Sequence, residues 1–172
     1  MKTALIVTHE KFQDHELIYP YYRLKGAGFD VKIVANKLGK IFGIMGTNMP
    51  CELTYSDMES ESFPDLIIIP GGVKALEKLR QEMGVLKYIH DYYNAGGVIG
   101  SICHGAQLMI SSKIVSGEKI SGYYSIMDDI NNAGATYSAD PIVISDNGKI
   151  ISSPHYDYMG EWMEEVIQRV IT

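Results

Sequence analysis

"GGVIGSICHGAQLMISS", residues 96–112, runs from a glycine pair through a short apolar stretch to a cysteine, then into residues at helical spacing. The segment reads as a buried strand that turns directly into a helix at Cys103. Three other runs resemble its first half: "TALIVT" (3–8), "DVKIVAN" (30–36) and "DLIIIPGG" (65–72). Such near-continuous apolar, β-branched runs suit a parallel sheet covered on both faces.

Helical stretches lie between these strands. "DHELIYPYYRLKGAG" opens at a candidate cap, Asp14, and ends in glycine. Its Pro20 is expected either to kink the helix or to lie near the first turn. "KALEKLRQEMGVLKYIHDYYNAGG" reads as one helical stretch closing on Gly96 and Gly97, and "GEWMEEVIQRVI" as a helix ending the chain. "NKLGKIFGIMGTNMP" and "ATYSADPIVISDNGKIISSP" read as hairpins, the second turning at Asp146–Gly148. Alternation of strand and helix predicts an α/β fold, a doubly wound, mostly parallel sheet in a single domain over residues 1–172.

Composition agrees with that reading. A chain of 172 residues, 46% hydrophobic, suits one globular domain. A formal net charge of −6 gives no basic footprint for nucleic acid and weakens attraction to anionic membranes. No stretch reads as a signal peptide or membrane span, and two cysteines make no disulfide framework, so a cytoplasmic setting is expected.

In a doubly wound sheet, ligands bind beyond the carboxyl ends of the strands. Four polar segments should meet there: residues 9–13, Gly71-Gly72, Cys103-His104 and residues 154–157. A lone core cysteine is usually a small hydrophobe. Cys103 differs because it occupies a sharp strand-to-helix turn flanked by Gly100 and Gly105. Free N–H groups and the helix dipole are expected to lower its pKa. The backbone N–H of His104, with donors from Gly72, would hold an oxyanion. Cys51, beside Pro50 in a hairpin, has no such setting and reads as an ordinary thiol. "HEKFQDH" lacks the H-E-x-x-H spacing, which argues against zinc. "GKIFGIMG" lacks a strand-to-helix setting for phosphate, and no cofactor is expected.

The stretches "FQDHELIYPYYRLKGAGFDV", "LIIIPGG", "SICHGAQLMISS", "DDINNAGATY" and "ISSPHYDYMGEWM" together resemble the ThiJ/PfpI superfamily, most nearly its intracellular protease I (PfpI-like) group, across almost the whole chain. The resemblance implies a flavodoxin-like, class I glutamine-amidotransferase-like fold with Cys103 as elbow nucleophile and His104 beside it. It also implies Phe-Glu-Asp after the first strand, with that glutamate bonded to the cysteine. Here the residues are Phe12-Gln13-Asp14, so the resemblance places an amide where the carboxyl stands. An amide can still donate to sulfur but exchanges no proton, and turnover should suffer. Glu16 matches the glutamate of "ELIYPY" and reads as structural, leaving Glu10 as a substitute carboxylate only if its loop rearranges.

The resemblance further implies oligomerisation, a dimer or larger, and a glutamate from a neighbouring subunit beside His104, for which Glu77 is the nearest candidate. Tyr123 falls at a pocket tyrosine position, either binding substrate or packing. His155 either tunes substrate choice or faces water. The expected function is cysteine-dependent chemistry on a small-molecule or peptide carbonyl or amide, of peptidase, glyoxalase or deglycase type, with a stress-protection role. The rival readings are a non-catalytic redox or stress-response protein whose Cys103 is oxidised reversibly, and a structural oligomer with a vestigial pocket.

Overall fold

The computed structural model describes residues Met1–Thr172. β1 (Thr3–Val7) leads into α1 (Asp14–Gly26). β2 (Asp30–Ala35) is followed by a hairpin of β3 (Gly39–Phe42) and β4 (Asn48–Cys51). β5 (Leu53–Thr54) and α2 (Tyr55–Glu59) precede β6 (Leu66–Ile69), α3 (Val73–Leu79) and α4 (Met83–Asn94). β7 (Val98–Ile102) runs through one 3-10 turn into α5 (Ala106–Ser111). The remaining elements are β8 (Lys119–Ile120), α6 (Met127–Asn132), β9 (Thr136–Tyr137), β10 (Val143–Ile144), β11 (Ile150–Ser153) and α7 (Met159–Ile171).

Seven strands form the main sheet in the order β10-β11-β7-β6-β1-β2-β5. Every pairing is parallel except that of β10 with β11. The architecture is a flavodoxin-like, doubly wound α/β domain. All four residues of β6 are buried, as expected of a central strand covered on both faces. On one face α7 lays down the wholly buried Trp162, whose Nε1–H donates to the Ile151 carbonyl at 3.0 Å. Gly100 leaves room for it: a Cβ there would lie 2.8 Å from Ile68 Cδ1 and 3.3 Å from Trp162 Cζ2. No helix is long and apolar enough to cross a membrane.

Both hairpins form, β3 with β4 and β10 with β11, the latter turning at Asp146–Gly148. Two helical readings need correction. The stretch after Gly72 is not one helix but α3 and α4, separated at Arg80–Glu82. A continuous helix over 73–94 would be about 33 Å long at 1.5 Å per residue, roughly twice the span of the five-residue strand it must cross. Arg80 fixes the break, its Nε–H donating to Ser111 Oγ at 3.0 Å. Pro20 lies inside α1, well past its first turn, which rules out the first-turn setting, one of the two expected for it.

Residues at the carboxyl edge of the sheet are packed to backbone contact. A Cβ on Gly105 would strike the carbonyl oxygen of Ile69 and lie 3.1 Å from Ser101 Oγ. Gly105→Ala should therefore push α5 away from β6 and lower stability by about 1–3 kcal/mol, the scale of overpacking a core. Gly26→Ala, where an added Cβ meets nothing, is the matched control. Denaturant midpoints of the two variants check this; equal midpoints would contradict it.

Candidate functional site

Cys103 ends β7 with φ +58°, a left-handed conformation that non-glycine residues rarely adopt. Strain of this kind, on the order of 1–3 kcal/mol, persists only where the surroundings over-determine it. Here the surroundings are the β6–α3 turn on one side and Tyr123 on the other. A Cβ on Gly71 would lie 3.0 Å from Cys103 Cβ and 3.1 Å from the His104 nitrogen. Tyr123 N–H donates to the Cys103 carbonyl at 3.0 Å. The sharp turn aims the sulfur into a cavity of about 470 Å³, whose walls include Gln13, Glu16, Gly72, His104, Tyr123 and His155.

The carboxyl beside the sulfur belongs to Glu16, not to a position occupied by Gln13. Gln13 is the N-cap of α1: its side-chain oxygen accepts from Glu16 N–H at 3.2 Å. Its amide nitrogen contacts His15 Nδ1 at 3.0 Å, and no hydrogen bond joins it to Cys103. Helical side chains lean toward the N-terminus, so Glu16, one turn in, points back at the β6–α3 turn. Gly71 N–H donates to Glu16 Oε1 at 2.7 Å. Oε2 has no hydrogen-bond partner, and the carboxyl lies near enough to the Cys103 thiol for each to shift the other's ionisation. Glu16 is wholly buried.

Burial decides the electrostatics. It pushes the Glu16 carboxyl up to about 8, with the Gly71 N–H and the Cys103 thiol pulling the other way. Burial also raises Cys103; an ionised Glu16 raises it further, while the His104 backbone N–H lowers it. The expected depression of the thiol by the helix terminus alone is therefore corrected: desolvation outweighs it. Two adjacent buried acids resist ionising together, so they titrate as a pair that keeps at least one proton on sulfur or oxygen.

His104 Nδ1 lies 3.5 Å from Cys103 Sγ, and its ring stacks on Tyr123 with centroids 4.9 Å apart. Burial lowers its pKa, keeping the imidazole neutral. No carboxylate of this chain touches the ring. The Gly72 N–H donates to nothing within the chain. Its φ of +112° and a Cβ position only 2.6 Å from Gln13 N explain why glycine stands there.

Tyr123 and His155 both reach the cavity, and His155 also meets Asp157 Oδ2 at 3.3 Å. Glu10 does not reach it. Its carboxylate meets Lys37 Nζ at 3.4 Å and the Asn36 amide at 3.5 Å, because the chain reverses at Lys11 and turns Glu10 away. Glu77 is exposed on α3 and lines no part of its own chain's cavity. Cys51 Sγ points inward, at 3.2 Å from the Leu53 carbonyl and 3.6 Å from that of Ile33.

Reading the sequence placed the segments holding Lys11 and Tyr156 at the site without giving either a role, and missed Lys74 and Ile44; all four line the cavity. It also took Asp14 for the helix cap, a role that falls to Gln13; the Asp14 carboxylate instead accepts from Met45 N–H and Thr47 N–H at 2.9 Å each. Those bonds hold the β3–β4 tip, and with it Ile44, against the site. Glu16 was legible in one respect: it falls with Leu17, Pro20, Tyr21 and Leu24 on the buried stripe of α1, where a carboxylate needs a reason.

The raised carboxyl has a sign that can be measured. An unfolded chain gives up the Glu16 proton near 4.5, whereas the folded protein holds it to about 8. Between these values the unfolded state binds fewer protons, so stability falls as pH rises, by roughly 4–5 kcal/mol over the window. Chemical denaturation at pH 5 and pH 8 should register that loss, and Glu16→Gln should remove it. An equal pH dependence in the variant would show that the proton is held elsewhere.

Comparison with known proteins identifies the family. The sequence profile of the DJ-1/PfpI family matches residues 2–169. The chain is 33% identical over 164 residues to Deglycase PfpI of Pyrococcus furiosus, covering 95% of this chain and 96% of that protein. It is 31% identical over 147 residues to the putative cysteine protease YraA of Bacillus subtilis, covering 85% of each. Among solved structures, a two-domain protein of Anabaena variabilis with DJ-1/ThiJ/PfpI-like and ferritin-like domains superposes with a TM-score of 0.91 at 27% identity. That match takes in 98% of this chain and 48% of the other, about half its length. With the profile spanning nearly every residue and relatives above 30% identity along almost the whole chain, this chain belongs to the DJ-1/PfpI family.

Proposed function

We propose that this protein is a cysteine-dependent enzyme of deglycase or glyoxalase type, acting on small reactive carbonyl compounds. The observation that carries the reading is the buried Glu16 carboxyl set against the Cys103 sulfur at the strained elbow. Names borne by the relatives, deglycase and putative cysteine protease, support both branches of the expected chemistry. The surroundings of His104 favour the first. Peptide cleavage asks a histidine to be oriented by a third group and to protonate a leaving amine. His104 is neutral, stacked on Tyr123 and free of any carboxylate partner within the chain.

Addition to an aldehyde needs less. The Cys103 sulfur forms a bond to the carbonyl carbon as the C=O π bond breaks. Gly72 and His104 N–H groups hold the developing oxyanion, and the proton of the acid pair moves to that oxygen. The product is a hemithioacetal. With a 2-oxoaldehyde, the carbinol proton then transfers through an enediol to the neighbouring carbon, leaving a thioester. Water cleaves the thioester and releases a 2-hydroxy acid, so aldehyde plus water balances the product. Glu16 is the group placed to carry the proton in each step.

Methylglyoxal and a panel of peptide amides, offered to the wild type, Cys103→Ser and Glu16→Gln, test the reading. Lactate should form from methylglyoxal alone, fall at least about 10²-fold in Glu16→Gln and vanish in Cys103→Ser. Peptide turnover without methylglyoxal turnover would overturn the carbonyl reading. Lactate formation surviving in Cys103→Ser would overturn the cysteine.

A further inference from the structure

Two lysines reach the Cys103 cavity. Lys11, from the β1–α1 loop, and Lys74, from the first turn of α3, both line it. Its only carboxyl is Glu16, which lies at the bottom, is bonded to Gly71 and keeps its proton at neutral pH. The open part of the cavity thus holds two cations and no anion, in a chain whose formal charge is −6. A depression of about 360 Å³ elsewhere on the surface shows the contrast: Glu59, Glu61 and Asp91 line it against a single Lys87.

Neither lysine is neutralised. Lys2, Lys37 and Lys87 each meet a carboxylate within 4 Å, but Lys11 and Lys74 meet none. The carboxylates nearest to them in sequence lie outside the cavity. Glu10, adjacent to Lys11, pairs with Lys37, and Asp157, whose backbone N–H donates to His155 Nδ1, lines no part of the cavity. Glu77, one turn beyond Lys74, makes no ion pair and lies outside the cavity. The backbone contributes as well. Lys11 sits at φ +69°, with its N–H donating to the Phe42 carbonyl at 2.8 Å. Holding a lysine in the left-handed region is unfavourable, and strained residues of this kind gather at binding sites. The consequence here is directional: the reversal sends Glu10 outward and leaves Lys11 on the cavity.

Resting on the carbonyl chemistry of Cys103 described above, we infer that the preferred substrates are aldehydes carrying a carboxylate, with Lys11 and Lys74 as the residues that bind it. The aldehyde carbon meets Cys103 at the bottom, while the carboxylate stays toward the lysines. Two unpaired cations at the mouth of a concave site also steer an anion inward, an effect that salt screens.

The direct test separates charge from reactivity. Glyoxylate and its neutral methyl ester are compared as protectants of Cys103 against limiting iodoacetamide, read by mass spectrometry. Each is normalised to its own hemithioacetal equilibrium with mercaptoethanol, which removes the difference in intrinsic electrophilicity. The wild type should favour glyoxylate by roughly tenfold at low salt, a preference that shrinks at about 0.5 M salt. Lys11→Gln/Lys74→Gln should lose it. Lys37→Gln, whose ammonium meets Glu10 away from the cavity, should keep it. Equal protection by the two aldehydes, or a preference that survives the double variant, overturns the inference while leaving the carbonyl chemistry standing. Protection by neither aldehyde overturns that chemistry and the inference with it.

Discussion

A carboxyl and a thiol buried side by side cannot both give up their protons without a large electrostatic penalty. The site of this protein is arranged around that constraint. Glu16 and Cys103 are both buried at the bottom of the cavity, with Gly71 N–H on one carboxyl oxygen and the His104 N–H near the sulfur. Near neutrality the pair keeps at least one proton. A shared proton of that kind is available to a substrate oxygen without a solvent molecule having to deliver it.

The fold's contribution is close approach. Parallel strands β1, β6 and β7 end side by side, so the loops that follow them converge. Gly71, Gly72 and Gly105 stand where a methyl group would strike neighbouring backbone or the acid pair itself. Trp162 and Gly100 lock α7 against the sheet beneath β7, which leaves the elbow little freedom to relax its positive φ. Asp14 adds a distant element, tying the β3–β4 tip to the start of α1. The same short segment, residues 13–16, therefore caps a helix, anchors a hairpin and supplies the buried acid.

Much of this was legible in the residues. The apolar runs marked four of the parallel strands, and the glycines around Cys103 marked the turn. What misled was local similarity around Gln13. Matching residues by their neighbours placed the amide at the cysteine, whereas helix geometry puts the residue three positions later on the inward face. The missed signal was a carboxylate on an otherwise apolar helical stripe. Other features had no local signature. Lys11 and Lys74 are far apart in the chain and become neighbours only through the β1–β6 pairing. The break between α3 and α4 follows from the length of the strands they cross, which no window of helical spacing reveals.

The central claim is that Glu16 remains protonated at neutral pH in the folded protein. Infrared difference spectroscopy, wild type against Glu16→Gln at pH 7, reads this directly through the carbonyl stretch of a protonated carboxylic acid. The account requires that band in the wild type and its absence in the variant. A wild-type spectrum containing only ionised carboxylate at this position would mean that Glu16 titrates as an ordinary glutamate, and the shared proton would be lost from the mechanism.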